Sequence, residues 1–403
     1  MKSKYILAFI SISCVIIVFF VLNNKKQEVS YVQEEIKSSP VATDIKRNEH
    51  LTIGGWLVRW GGGKGLDDAV KHIDTFDTLS PFSYEVTHDG NVSDVLKLSS
   101  SQWKNVLTEA KKNNVTIIPS FLWMDTQAMK TVLQSETKRD TLVKQIASTV
   151  MTMNVDGADI DFEWMNDSDH PAFIIFLKNL KVQLGNKMIT CSIEAKMPSI
   201  YPDEKQALDA YYRELGTVCD EVRIMAYDMR FSDPVLAKKE SAPYIPSADV
   251  RTVRDSVNYI ATSIPREKIV LGVALYGYEY DVTEYATSTS YRLLWSFSPS
   301  YAKSLIAKRS LKVEHKESGE AYAIYEGNKK QVPSKSFQST APFVTESELK
   351  ETKAHYNVIW WSDTKAVEGK IELAKNLGLK GISLFRLDGD TDGGLWEALG
   401  KAK

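Results

Sequence analysis

The chain has 403 residues, with 50 Lys and Arg against 52 Asp and Glu and a formal net charge of −2. That balance leaves no basic field, so nucleic acid is not an expected partner. A hydrophobic content of 43% suits a globular protein with a large core, and three cysteines and six histidines form no metal-ligand spacing.

The first element is apolar. Tyr5 to Leu22 is almost wholly hydrophobic, between Lys2 and Lys4 on one side and Lys25 and Lys26 on the other. That length spans a bilayer core, and no small-residue cleavage pattern follows Leu22. Residues 1–24 therefore read as a membrane anchor with its N-terminus inside and the body at the cell surface. A cleaved signal segment, giving a secreted protein, is the alternative. Residues 25–49 are polar and without apolar period, and read as a linker.

From residue 50 to 403, strand-like and helix-like segments alternate. The strands are Leu51–Trp60, Thr78–Val86, Val115–Trp123, Gly157–Trp164, Lys187–Lys196, Glu221–Met229, Lys268–Tyr278 and Gly381–Leu387. Several are continuous Val- and Ile-rich runs, as parallel strands covered on both faces should be. The clear helices are Ser101–Asn113, Thr141–Met153, Pro171–Leu184, Asp203–Thr217, Ser247–Ser263 and Thr364–Leu377, with weaker ones at Leu66–Ile73 and Leu395–Lys401. Eight of each, in alternation, predict an α/β fold, a (β/α)8 TIM barrel. About residues 281–356 interrupt the rhythm and read as a small α+β insertion between strand 7 and helix 7. An open doubly wound sheet is the competing architecture, but the glycines from Gly61 to Gly65 lack a nucleotide fingerprint. Cys191 and Cys219 read as buried small apolar side chains, with a disulfide between them left open.

The chemistry concentrates in Asp156-Gly157-Ala158-Asp159-Ile160-Asp161-Phe162-Glu163. Alternate residues of a strand share a face, so Asp159, Asp161 and Glu163 point one way. Stacked carboxylates in an apolar strand repel one another and are costly to bury. The pattern makes sense where one acid must hold a proton near neutral pH. Barrel sites lie at the C-terminal ends of strands, where Glu163, Tyr227 and Asp228 fall. Trp56, Trp60, Trp123 and Phe385 end strands one, three and eight and offer faces for stacking on sugar rings. Glu194 and Lys196 end strand five and read as a pair, with a direct contact to sugar as the alternative.

Asp156-Gly-x-Asp-x-Asp-x-Glu163 together with Met225-x-Tyr227-Asp228 resembles the family 18 glycoside hydrolases, the chitinases and related N-acetylglucosaminidases. Leu79 to Tyr84 and Gly272 to Gly277 are similar to the bacterial branch with spore-cortex and cell-wall hydrolases. The resemblance covers Leu51 to Leu399. It implies a retaining glycosidase acting on β-1,4-linked polymers that contain N-acetylglucosamine (peptidoglycan or chitin type); the N-terminal segment makes it an exported one, and a monomer without cofactor is expected. Glu163 is then the acid, Asp161 the partner of the substrate acetamido group, Tyr227 its donor, and Asp159 the residue that tunes Asp161. The substrate-binding candidates are Asp228, Asp156, Trp56, Phe385, Tyr84 and Met225, with a turn role for Asp156 equally open. The chain departs from the family at Ile118 to Trp123, which lacks a Ser-x-Gly-Gly turn, and at Phe385, where many relatives have Trp. A sugar-binding protein without turnover and a metal-dependent hydrolase are the competing functions.

Overall fold

Sixteen strands and eleven α-helices follow one another among the described residues of the computed structural model, which are 45–58, 63–196, 205–229, 233–240, 242–285, 289–327, 353–388 and 393–403. In chain order they are β1 (Thr52–Leu57), α1 (Lys64–Lys71), β2 (Thr78–Pro81), β3 (Tyr84–Val86), β4 (Val92–Asp94), α2 (Ser101–Lys112), β5 (Thr116–Ile117), β6 (Ser120–Trp123), α3 (Thr126–Leu133) and α4 (Glu136–Met153). Then come β7 (Gly157–Phe162), α5 (His170–Leu184), β8 (Met188–Glu194), α6 (Lys205–Val218), β9 (Glu221–Met225), α7 (Pro234–Glu240), α8 (Val250–Ile260) and β10 (Ile269–Ala274). The remainder are β11 (Gly277–Glu284), β12 (Thr289–Phe297), α9 (Pro299–Arg309), β13 (Glu314–His315), β14 (Ala321–Tyr325), β15 (Ala354–Trp361), α10 (Thr364–Asn376), β16 (Gly381–Leu387) and α11 (Leu395–Gly400).

The main sheet is mixed and eleven-stranded, ordered β4-β3-β6-β7-β8-β9-β10-β16-β1-β2-β5, with helices flanking it. It is a curled, open sheet of TIM-barrel type, not the closed ring of eight that the alternation predicts. The second and third expected strands each break in two. Phe82 and Ser83 part β2 from β3, and Ile118 and Pro119 part β5 from β6. Pro119 has no N–H to give a ladder. The contact is therefore split, with Thr78 opposite Thr116 in one ladder and Tyr84 opposite Phe121 in the other.

A repeated aspartate device sets the register at the start of the strands. Asp77, Asp156 and Asp220 each stand immediately before a strand. Their carboxylates accept from the Ile53, Ile117 and Ile189 N–H groups, each at 2.8 Å. Their own N–H groups donate back to the same three isoleucine carbonyls. Next to Asp156, a Cβ on Gly157 would lie 2.3 Å from the Met188 carbonyl oxygen. Only glycine lets β7 approach β8 there.

A second sheet, antiparallel and ordered β12-β11-β15-β14-β13, lies in the chain between β10 and α10. It begins at Gly277 and ends at Trp361, wider than residues 281–356, because only Leu275 and Tyr276 separate β10 from β11. Phe297, Leu305, Ile359 and Trp361 form part of its own apolar cluster. Residues 328–352 lie outside the described residues.

Two expectations change. Cys191 and Cys219 are joined by a disulfide, tying the middle of β8 to the exit of α6. The membrane anchor, and the membrane as a partner, are withdrawn. Among the described residues no helix is long and apolar enough to cross a membrane, and Tyr5 to Leu22 lies outside them.

Candidate active site

β7 brings its acids to one face because its neighbours are in register. Ser120 stands opposite Asp159 and Leu122 opposite Asp161 on one side, and Thr190 stands opposite Asp159 on the other. Asp159 is fully buried and saturated. Its Oδ2 accepts from the Trp56 indole at 2.9 Å and the Ser120 hydroxyl at 2.7 Å. Its Oδ1 accepts from Thr190 at 2.7 Å and Ser192 at 2.9 Å. Asp161, one step higher, is buried too, but its Oδ1 has no hydrogen-bond partner among the described residues. Burial raises its pKa well above the carboxylate range. The charges of Glu163, Asp159 and Glu194 add to this, and Arg223 opposes it. An open acceptor in so dry a place is costly, and it marks where a ligand donor would fit.

Glu163 follows the last residue of β7, and its N–H donates to the Trp123 carbonyl at 2.9 Å. Partial burial, then the charges of Glu194 and Asp228, push its pKa up to about 7. At neutral pH it is therefore part protonated and part ionised, as a group that both gives and takes a proton must be.

Across from the acids, the end of β9 supplies Tyr227. Its ring stacks on Phe385 with centroids 5.5 Å apart and planes 8° apart. Burial, then the Asp161 charge, raises its pKa well above that of a free phenol, so it remains an O–H donor. A Cβ on Gly272 would come 3.1 Å from the Tyr227 ring, which makes that glycine part of the seat. Asp228 has φ 59°, a left-handed conformation that Asp tolerates better than most residues. Its Oδ1 accepts from the Tyr276 hydroxyl at 2.8 Å and the Tyr278 hydroxyl at 2.5 Å. Met225 is half-buried opposite Glu194 in the β8–β9 ladder.

The other expected residues divide. Phe385 is half-buried and sits among Trp56, Phe82, Tyr227 and Tyr276, with centroids between 5.5 and 6.0 Å from its own. Trp56 is only 1% exposed. It lies under the site as a donor to Asp159 and offers no open face for a sugar. Asp156 is at the opposite end of β7 from Glu163, about 23 Å away at the usual strand rise, where it pins β5. Tyr84 stacks on Phe121 at 4.7 Å. Phe121 is opposite Ile160, so Tyr84 is on the face that the acids do not use. Trp123 is buried, Trp164 is 58% exposed, and Trp60 lies outside the described residues. Lys196 does not pair with Glu194; it binds Asp167 at 2.8 Å. The residues not foreseen are Ser120, Thr190, Ser192, Arg223, Tyr276 and Tyr278. Thr190, Ser192 and Glu194 do carry a signal, a polar side chain at every second position of a strand.

Comparison with known proteins gives the family. The family model described as glycosyl hydrolases family 18 matches residues 11–390. The chain belongs to that family. Similar proteins include the cortical fragment-lytic enzyme of Bacillus subtilis (strain 168), 22% identical over 85% of this chain and 71% of its own length. Among solved structures, the spore cortex-lytic enzyme SleL of Bacillus megaterium QM B1551 matches with a TM-score of 0.66 and 20% identity, over 90% of this chain and 75% of that one. A chitinase from Chromobacterium violaceum ATCC 12472 matches with a TM-score of 0.67 and 17% identity, over 87% and 98%. Family membership makes this protein a glycosidase.

Proposed function

We propose that the protein hydrolyses β-1,4-linked polymers containing N-acetylglucosamine by the substrate-assisted, retaining route of its family. The observation that carries this reading is the triple of Glu163 with a pKa of about 7, Asp161 with an open buried oxygen, and Tyr227 with a retained O–H, all at one end of the sheet. Protonated Glu163 gives its proton to the glycosidic oxygen. The 2-acetamido oxygen of the same sugar attacks the anomeric carbon, and the leaving sugar departs. Tyr227 donates to that acetamido oxygen and holds it for attack. As positive charge grows on the oxazolinium ring, its N–H meets the open oxygen of Asp161. Glu163, now ionised, takes a proton from water, and the water opens the ring with retention. The nucleophile is already attached to the reacting sugar, so the entropy of bringing it there is small.

In this reading residues 50–403 work as one catalytic barrel. The split strands bring the two ends of the curled sheet to neighbouring runs, since β5 and β6 are one run parted by two residues, and each pairs with one half of Thr78–Val86. Asp228 and Phe385 border the bound sugar. The disulfide suits an exported enzyme, and relatives named for spore-cortex lysis and for chitin support the polymer class. The test compares wild type with Glu163→Gln on N-acetylglucosamine oligomers and on peptidoglycan, with product analysis and calorimetry. Cleavage should fall by about three orders of magnitude or more, while oligomer binding persists. Unchanged turnover in the variant would remove Glu163 from its role.

A further inference from the structure

We infer that Arg223 is a positioning residue for this reaction: its buried guanidinium stands against Asp159 at the base of the acidic row, opposes the negative charge of the row, and so sets how tightly Asp161 and Glu163 hold the proton they share. The inference rests on the function proposed above.

A cation at this depth needs a reason. Arg223 is in β9, opposite Ser192 of β8, and its side chain is 1% exposed. Its Nη1 is 2.6 Å from the Ser80 hydroxyl and 3.7 Å from Asp159 Oδ2. Its Nε donates to Glu221 at 2.8 Å, and Glu221 also binds Lys380 at 2.9 Å. The guanidinium lies 5.3 Å from the Trp56 ring centroid, and Trp56 donates to the same Asp159 oxygen. Nη2 is buried with no acceptor among the described residues. Packing or hydrogen bonding alone would not favour such a group, because an orphaned buried donor is costly. Its charge is what the site uses.

The balance of charge then points upward. Arg223 and Lys380 offset Asp159 and Glu221. Among the described residues nothing comparable offsets the upper pair. Asp161 feels the charges of Glu163, Asp159 and Glu194 and, in the opposing direction, Arg223, while Glu163 feels Glu194 and Asp228, and the nearby cation Lys196 is held by Asp167. Two carboxyls close together without a cation lower their energy by sharing one proton. With Arg223 removed, Asp161 would hold the proton it shares with Glu163 more tightly. The sign follows from Arg223 acting on Asp161 in the lowering direction.

The experiment measures kcat and KM against pH on an N-acetylglucosamine tetrasaccharide for wild type, Arg223→Met, Arg223→Lys and the pair Arg223→Met/Glu221→Gln. The pair removes both buried charges together and covers the case in which Arg223→Met alone does not fold. The alkaline limb should move up by about one pH unit in either Met variant, with kcat down about 100-fold and KM little changed. Arg223→Lys should return the limb to its wild-type position. A limb that stays put in the folded Met variant, whatever the rate, overturns the inference and leaves Arg223 a structural residue. Thermal unfolding against pH decides the matter without turnover. The fall in Tm as the row ionises should extend about one pH unit higher in the Met variants, and a coincident curve counts against it. A wild type that cleaves nothing would sink the proposed function, while the unfolding curves would still judge Arg223.

Discussion

Glu163 keeps its proton because the protein withholds water and adds negative charge. Burial is the larger cause and Glu194 the next. The general acid must be protonated when substrate binds, so kcat/KM should fall as pH rises through about 7. Glu194→Gln removes one repelling charge and should move that alkaline limb to lower pH with the fold intact; a limb that stays put would show that burial alone sets it. The same shift bears on stability. Because the folded pKa lies above the unfolded value of 4.5, ionising Glu163 costs folding free energy between pH 4.5 and about 7. Glu163→Gln should therefore match wild type in urea denaturation near pH 4 and exceed it at pH 8. Tyr227→Phe keeps the ring that stacks on Phe385 and loses only the O–H. Its kcat should fall about 100-fold, with an unchanged Tm by calorimetry.

At the scale of elements, strand parity decides which sequence expectations hold. The acids at spacing two were legible because alternation is local, and so was their place at a strand end. Asp156 belongs to the same motif, but it precedes the strand and pins β5 at the opposite end, where barrel residues serve stability. Tyr84 was not legible. Its strand breaks at Phe82 and Ser83, so the alternation restarts and its ring turns to Phe121. The helix α3 was missed although Asp125 announces it, accepting from the Ala128 N–H at 2.9 Å. Strand β12 lies at the edge of its sheet and is largely part-exposed, so it lacks the apolar period of a core strand. The aspartate pins give a prediction at this scale. Asp156→Ala leaves the Ile117 N–H without its acceptor and should cost about 1–2 kcal/mol in urea unfolding. Asp156→Asn, which still offers an oxygen, should recover part of it. Neither should change kcat; a drop in kcat without loss of fold would return Asp156 to the active site.

For the whole molecule, the long-range constraint the sequence left open is the disulfide. The free-thiol reading was reasonable, since both sulfurs are buried and buried cysteines are common; only the fold shows that β8 and the exit of α6 meet. Cys191 and Cys219 are 28 residues apart, and the loop they close holds the second half of β8 and all of α6. A loop of that length should stabilise the fold by about 3–4 kcal/mol through the unfolded chain. Cys191→Ser/Cys219→Ser should lower the urea unfolding free energy by that order. Its effect on catalysis should be small. Thr190 and Ser192, which flank Cys191 and bind Asp159, are also held by the β8–β9 ladder opposite Glu221 and Arg223. That ladder does not depend on the sulfurs. At 25 °C, where the variant is still folded, kcat/KM should stay within about twofold of wild type. A tenfold fall under those conditions would mean that the disulfide, and not the sheet, aligns the donors around Asp159.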